Sequence, residues 1–206
     1  MGFVILLIIG AYLLISAGVV AGAILYAQKH GKSAIRWGAS AALVMFLIPG
    51  WDWIPTVVAH KYYCEKEAGF WVYKTLDQWK AENPGVMETL VANKDAPSTR
   101  DGDDTNFTDT YLLNPRINKV VQEHRVSSVI HVFRHEQDVV DAKNNLVMAR
   151  YVDFRAGYPS GVAGIAPRSA GLAALKFWLV NRNCAGGENN YGEFLQIKRT
   201  FQGVGK

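Results

Sequence analysis

From Phe3 to Ala27 the chain carries no charged residue, and after a short basic link a second apolar stretch runs from Ala34 to Val58. As a helix the first stretch rises roughly 37 Å, enough to cross a hydrocarbon core of about 30 Å. No Lys or Arg precedes it and its apolar region is longer than that of a signal peptide, so it reads as an uncleaved anchor. Gly18 and Gly22 stand four apart, the spacing that lets helices approach closely, with the second helix as the natural partner. The second stretch is less regular. Pro49 should kink it, and Trp51 and Trp53 fall where an aromatic belt would lie. Asp52 between them is expected at headgroup depth, where an acid costs little; buried instead, it would be a contact for a partner or a proton.

The pattern therefore predicts a transmembrane helical hairpin over residues 1–58, with spans of about 3–27 and 34–58. A soluble domain follows over 59–206. Lys29, Lys32 and Arg36 in the link place it on the cytoplasmic side and both termini outside.

Beyond residue 58 hydrophobicity alternates over shorter runs. Ala68 to Leu76 sets Phe70 and Val72 against Trp71 and Tyr73, a strand pattern. Leu76 to Lys80 reads as helical, and Asn83-Pro84 as the start of a short helix through Val91. Lys94 to Asp109, rich in Asp, Ser, Thr, Gly and Pro, reads as an exposed loop. Its Asp101, Asp103, Asp104 and Asp109 lack EF-hand spacing. Strands are predicted at Arg116–Arg125, Ser128–Glu136 and Leu146–Arg155, the last two joined by a turn at Asp141-Ala142-Lys143-Asn144-Asn145. A loop from Ala156 to Gly171, a helix from Ser169 to Val180 and a closing strand from Phe194 to Phe201 complete the reading. The fold class is a membrane-anchored α+β domain with a mainly antiparallel sheet.

Composition changes this picture in two ways. The net charge is +4, three of the basic residues lie in the link, and no dense basic stripe points to nucleic acid. Two cysteines, Cys64 just past the second span and Cys184 near the far end, read as one disulfide in an exported domain. The expected setting is a bacterial cytoplasmic membrane with the C-terminal domain on the periplasmic side.

Candidate chemistry is sparse. His124, His131 and His135 stand near Glu123, Glu136 and Asp138. On a strand His131 and His135 share a face about 13 Å apart, too far for one metal whose bonds are about 2 Å. The serine in Gly157-Tyr158-Pro159-Ser160-Gly161 lacks the nucleophile-elbow pattern. Tyr62, Tyr63, Phe70, Trp71, Tyr73 and Trp79 crowd the segment after the membrane, as an interfacial belt or a partner surface would. No catalytic, cofactor or metal residue is assigned. The sequence points to a non-enzymatic interaction protein whose partners are the bilayer and a membrane or envelope protein. Asp52, Trp51, Trp53 and Trp71 are the candidate contacts, and the role that of an accessory subunit of an envelope complex or an immunity or exclusion factor. The alternatives are a membrane-anchored hydrolase or transferase built around His131 or His135 with Glu136 or Asp138, and a redox-complex subunit using Asp52.

Overall fold

The structure, a computed structural model, describes residues 2–93, 95–103, 105–127, 129–157, 183–184 and 186–203. The first element, α1 (Gly2–Lys29), is apolar throughout its length, and its Leu6–Lys29 portion is long and apolar enough to cross a membrane, a property signal sequences share. α2 (Ala34–Gly50) turns back alongside it. The Tyr12 hydroxyl donates to the Met45 carbonyl across the pair. The close approach falls at Gly38, where a Cβ would come 2.9 Å from Ile24 Cγ1; at Gly18 and Gly22 nothing lies within 4 Å. The small residue that brings the helices together is thus on α2, contrary to the expectation for Gly18 and Gly22.

The second span also differs from expectation. α2 has 17 residues, about 26 Å of helix, and it ends at the break that Pro49 foreshadows. The chain then resumes as α3 (Trp53–Lys66), bent 53° from α2. Only taken together do α2 and α3 match the length and composition of one crossing. A continuous span over 34–58 is not formed, because Asp52 and the helix after it are drawn onto the soluble region.

That region is α+β. β1 (Gly69–Val72), α4 (Leu76–Glu82), α5 (Val86–Thr89), β2 (Ser98–Gly102), β3 (Phe107–Leu112), β4 (Ile117–Arg125), β5 (Val132–Asp141), β6 (Leu146–Ala156) and α6 (Gly187–Gln202) follow in order. The six strands form one antiparallel sheet in the order β1-β6-β5-β4-β3-β2. β2 to β6 are therefore a meander, and β1 closes its far edge against β6.

Local chemistry explains most boundaries. Thr75 caps α4 through a capping box, its hydroxyl accepting from the Gln78 amide while the Gln78 side chain accepts from the Thr75 amide. α5 is shorter than the Asn83-Pro84 signal implies and starts after Gly85, which sits at φ 76°. The β5–β6 turn lies at 142–145, with Asn145 in the left-handed region.

Two segments overturn the sequence reading. The expected loop from Lys94 to Asp109 contains β2 and the start of β3: Asp103 Oδ1 accepts from the Thr105 and Asn106 amides to close their turn, and Asp109 forms a two-pronged ion pair with Arg100 at 2.7 Å. The expected strand from Phe194 to Phe201 is part of α6. Tyr191, Phe194 and Phe201 fall on one helical stripe and pack with Trp79, Met87, Leu113, Ile117, Val139, Met148 and Tyr151 into the main core. The expected helix over Ser169–Val180 and the Tyr158–Gly161 turn lie outside the described residues.

At one end the core is closed by a polar knot. Asp141, almost wholly buried, accepts from Arg116 at 2.5 and 2.9 Å and from the Trp79 indole at 2.9 Å. Burial alone would raise its pKa, but the Arg116 and Trp79 hydrogen bonds, with that of the Lys143 amide, outweigh burial and hold the carboxyl below the ordinary range.

Candidate functional site

The chemistry-bearing side chains collect on three surfaces, each set by a simple periodicity. The first is α3. Asp52, Thr56, His60 and Cys64 recur every four residues and so form one stripe along the helix. That stripe faces the sheet. Asp52 and Thr56 are fully buried. Asp52 Oδ2 lies 3.3 Å from His131 Nδ1, and the His131 amide donates to the Thr56 hydroxyl at 3.4 Å. His60 Nε2 is 3.0 Å from the Phe154 carbonyl. Cys64 is bonded to Cys184, with Cα atoms 5.4 Å apart and 120 residues between them in sequence. Ala59 and Tyr63 fill in beside the stripe against Val132, Val152 and Phe154, with the Tyr63 and Phe154 rings stacked at 5.1 Å.

The disulfide expected from the sequence is therefore present. Asp52 is enclosed by its own chain, because the polar side of α3 is the side that docks on the sheet. Trp51 and Trp53 flank it and are 51 % and 42 % exposed; Trp71, on edge strand β1, is 40 % exposed. Of the four candidate partner contacts, three face outward and Asp52 faces in.

The second surface is the sheet face shared with α6. His135 stands opposite Glu123 on β4 and Asp153 on β6. Its Nδ1 is 3.2 Å from Glu123 Oε2 and its Nε2 2.7 Å from Gln137 Nε2. An imidazole protonated on Nδ1 satisfies both, donating to the carboxylate and accepting from the amide. Arg155 Nη1 also reaches Glu123 Oε2, at 3.2 Å. His135, Glu123 and Gln137 are all buried. Beside them the Tyr151 hydroxyl donates to the Gly187 carbonyl at 3.3 Å, and burial, with the Asp153 charge close by, pushes its pKa well above that of a free phenol.

The third surface is the opposite sheet face. Here Glu67, Arg134, Glu136, Arg150 and Asp138 make a continuous ladder. Arg134 bridges Glu67 at 3.2 Å and Glu136 at 2.8 Å; Arg150 bridges Glu136 at 3.0 Å and Asp138 at 2.7 Å. Burial holds the Asp138 carboxyl above its ordinary range despite the Arg150 hydrogen bonds, and those bonds raise the Arg150 pKa.

The histidine–carboxylate grouping suggested by the sequence is thus divided. His135 points to one face while Glu136 and Asp138 point to the other, as period-2 alternation requires. His131 precedes β5 and contacts α3 instead. Each imidazole has a carboxylate, but Glu123 and Asp52 are the partners. Sequence gave no sign of either pairing, since one depends on strand register and the other on where α3 docks. Among the described residues, His60 and the disulfide-bonded Cys64 and Cys184 bring three metal-ligand residue types together, their donor atoms within 4.8 Å of one another.

Comparison with protein-family models, curated proteins and solved structures finds no match. Function is argued from the geometry alone.

Proposed function

We propose that the protein is a membrane-anchored, non-enzymatic interaction protein. In this reading α1 and the α2–α3 segment tether it to a bacterial cytoplasmic membrane and the disulfide-closed domain stands on the periplasmic side. It would serve as an accessory subunit of an envelope complex or as an immunity or exclusion factor. The observation that carries the proposal is the inverted amphipathicity of α3. Its polar stripe is spent on the sheet, and Trp53, Ile54, Val57, Val58 and Tyr62 are left exposed on the outside. An apolar outer face of this kind suits a bilayer interface or another membrane helix.

The test is photo-crosslinking in native membranes from positions 53 and 71, followed by gentle detergent extraction. A discrete crosslinked protein at either position, co-migrating with the chain after extraction, is the expected result. Recovery of an uncrosslinked lone monomer from both positions would sink the reading. Exposure of the domain is checked separately by blocking free thiols and labelling Cys64 and Cys184 with a mass-adding maleimide. A gel shift only after reduction is expected of an exported domain.

A further inference from the structure

His60 and Cys64 lie one helical turn apart on α3, and Cys184 is brought onto them from the far end of the chain. His60 Nε2 stands 3.4 Å from Cys64 Sγ. A tetrahedral zinc ion, with bonds of about 2.3 Å to sulfur and about 2.0–2.1 Å to nitrogen, sets neighbouring donors about 3.5–3.8 Å apart. The nitrogen–sulfur edge of such a tetrahedron is therefore nearly in place. Only the two sulfurs must separate, to about 3.8 Å. Rotation of the two cysteine side chains is enough for that across a Cα separation of 5.4 Å.

The surroundings shield the three ligands in part. Cys184 is buried, His60 and Cys64 are half-buried, and the stacked Tyr63 and Phe154 rings stand beside them. The Cys184 amide donates to Asp153 Oδ1 at 3.0 Å, which fixes the backbone of the most distant ligand.

We propose that reduction converts the Cys64–Cys184 staple into a zinc site formed by His60, Cys64 and Cys184. A dithiol reductant gives two electrons and two protons to the sulfur–sulfur bond, becoming a disulfide itself, and leaves two thiols. Zn²⁺ then displaces both thiol protons and takes two thiolates, with a water in the fourth position. His60 releases the Phe154 carbonyl and offers its Nε2 lone pair, the ring proton residing on Nδ1. The same three residues thus hold α3 to the sheet by a covalent bond in an oxidising compartment and by a metal in a reducing one. This goes beyond the interaction role and does not depend on it.

The test uses the full chain in detergent, with Zn²⁺ or Co²⁺ alone as probe. The dithiol-reduced protein should bind one Zn²⁺ per chain and the oxidised protein none. Co²⁺ should give thiolate charge-transfer absorption only after reduction. His60→Ala should weaken binding at least tenfold, while His60→Cys, which restores a ligand, should recover it. Both variants should still close the disulfide on oxidation, which reports that they fold. If reduction without metal loosens the fold, Zn²⁺ should restore its melting temperature and circular dichroism. Equal zinc uptake by oxidised and reduced protein, indifference to His60→Ala, or failure of Zn²⁺ to restore a loosened fold would each overturn the proposal.

Discussion

α6 and α3 cover opposite faces of one sheet and hold it by different means. α6 brings Tyr191, Phe194 and Phe201 onto Phe70, Trp79 and Tyr151, so its attachment scales with apolar area removed from water. α3 brings Asp52, Thr56, His60 and Cys64, and keeps most of its large apolar residues outside. A helix whose outer face meets an apolar medium gains little from burying more apolar surface inward, because lipid is as good a solvent for it. Such a helix must be attached by specific pairs, and here those pairs include a covalent bond. The difference indicates that α6 is a core helix of the domain, whereas α3 couples the sheet to the α1–α2 pair.

The largest expected effect comes from removing the covalent pair. Cys64→Ser with Cys184→Ser should cost about 4–5 kcal/mol by loop-closure entropy across the 120-residue separation, as an upper figure. The loss should be local as well as large. Hydrogen exchange should rise along α3 while α6 stays protected. Equal loss of protection in both helices would remove the distinction between them.

The converse variant follows. Phe201→Ala empties a fully buried site against Trp79 and should cost about 4 kcal/mol. Here α6 should open, with the disulfide still intact by gel shift. Denaturant unfolding of the extracted protein measures the first quantity and thiol labelling the second.

Next comes the polar knot beneath the core. Asp141→Asn leaves Arg116 without its carboxylate partner and should cost about 2–3 kcal/mol at neutral pH. Because the folded-state pKa of Asp141 is depressed, its contribution is fully present above the unfolded value of about 3.9. That contribution fades as pH falls through the folded value. The gap between parent and variant should therefore narrow below about pH 4. Asp138 works in the opposite sense: its folded pKa is raised by burial, so its protonation favours the folded state as pH falls. Melting temperatures of parent and Asp141→Asn between pH 6 and pH 3 separate the two contributions, and a gap that stays constant to pH 3 contradicts the assignment.

What could be read from sequence tracks how local each feature is. β4, β6 and the β5–β6 turn follow from alternation and from Asp-Ala-Lys-Asn-Asn, and the disulfide from an isolated pair of cysteines. β2 and β3 were hidden because an edge hairpin of Ser-Thr-Arg-Asp-Gly and Phe-Thr-Asp-Thr has no continuous apolar face. Their pairing is backbone hydrogen bonding supported by Arg100–Asp109, which composition reads as loop. α6 carries strand-favouring side chains in Phe194, Ile197 and Phe201, but with Leu195 their spacing is helical, and the spacing decides. The candidate site was the least legible part. His135 meets Glu123 only through the β4–β5 register, and Asp52 meets His131 only because α3 bends off α2. The regular four-residue recurrence of Asp52, Thr56, His60 and Cys64 was nonetheless visible in the sequence, and it was the available sign that the second apolar stretch would not run on as a span.

The smallest effect tests whether a change in the α1–α2 pair reaches the sheet through α3. Gly38 lets α2 lie against Ile24 of α1, and the atoms a Cβ would meet are Ile24 Cγ1 and Cδ1, at 2.9 and 3.1 Å. Ile24 is stiff at its branched Cβ, so Gly38→Ala needs the two helices to give slightly, a smaller demand than a larger side chain makes. Gly38→Leu overfills the contact and should cost about 1–2 kcal/mol, the range for overpacking. That loss should appear in the α1–α2 pair alone. The readout is the yield of a bifunctional maleimide crosslink between cysteines placed at Tyr12 and Met45, positions that the Tyr12 hydroxyl joins across the helix pair. The yield should fall in Gly38→Leu and hold in Gly38→Ala, with hydrogen exchange of α3 and the sheet unchanged in both. If Gly38→Leu instead loosens α3, the α1–α2 pair and the sheet communicate through α2 as a stiff lever. The bend at Trp51–Asp52 would then transmit strain rather than absorb it.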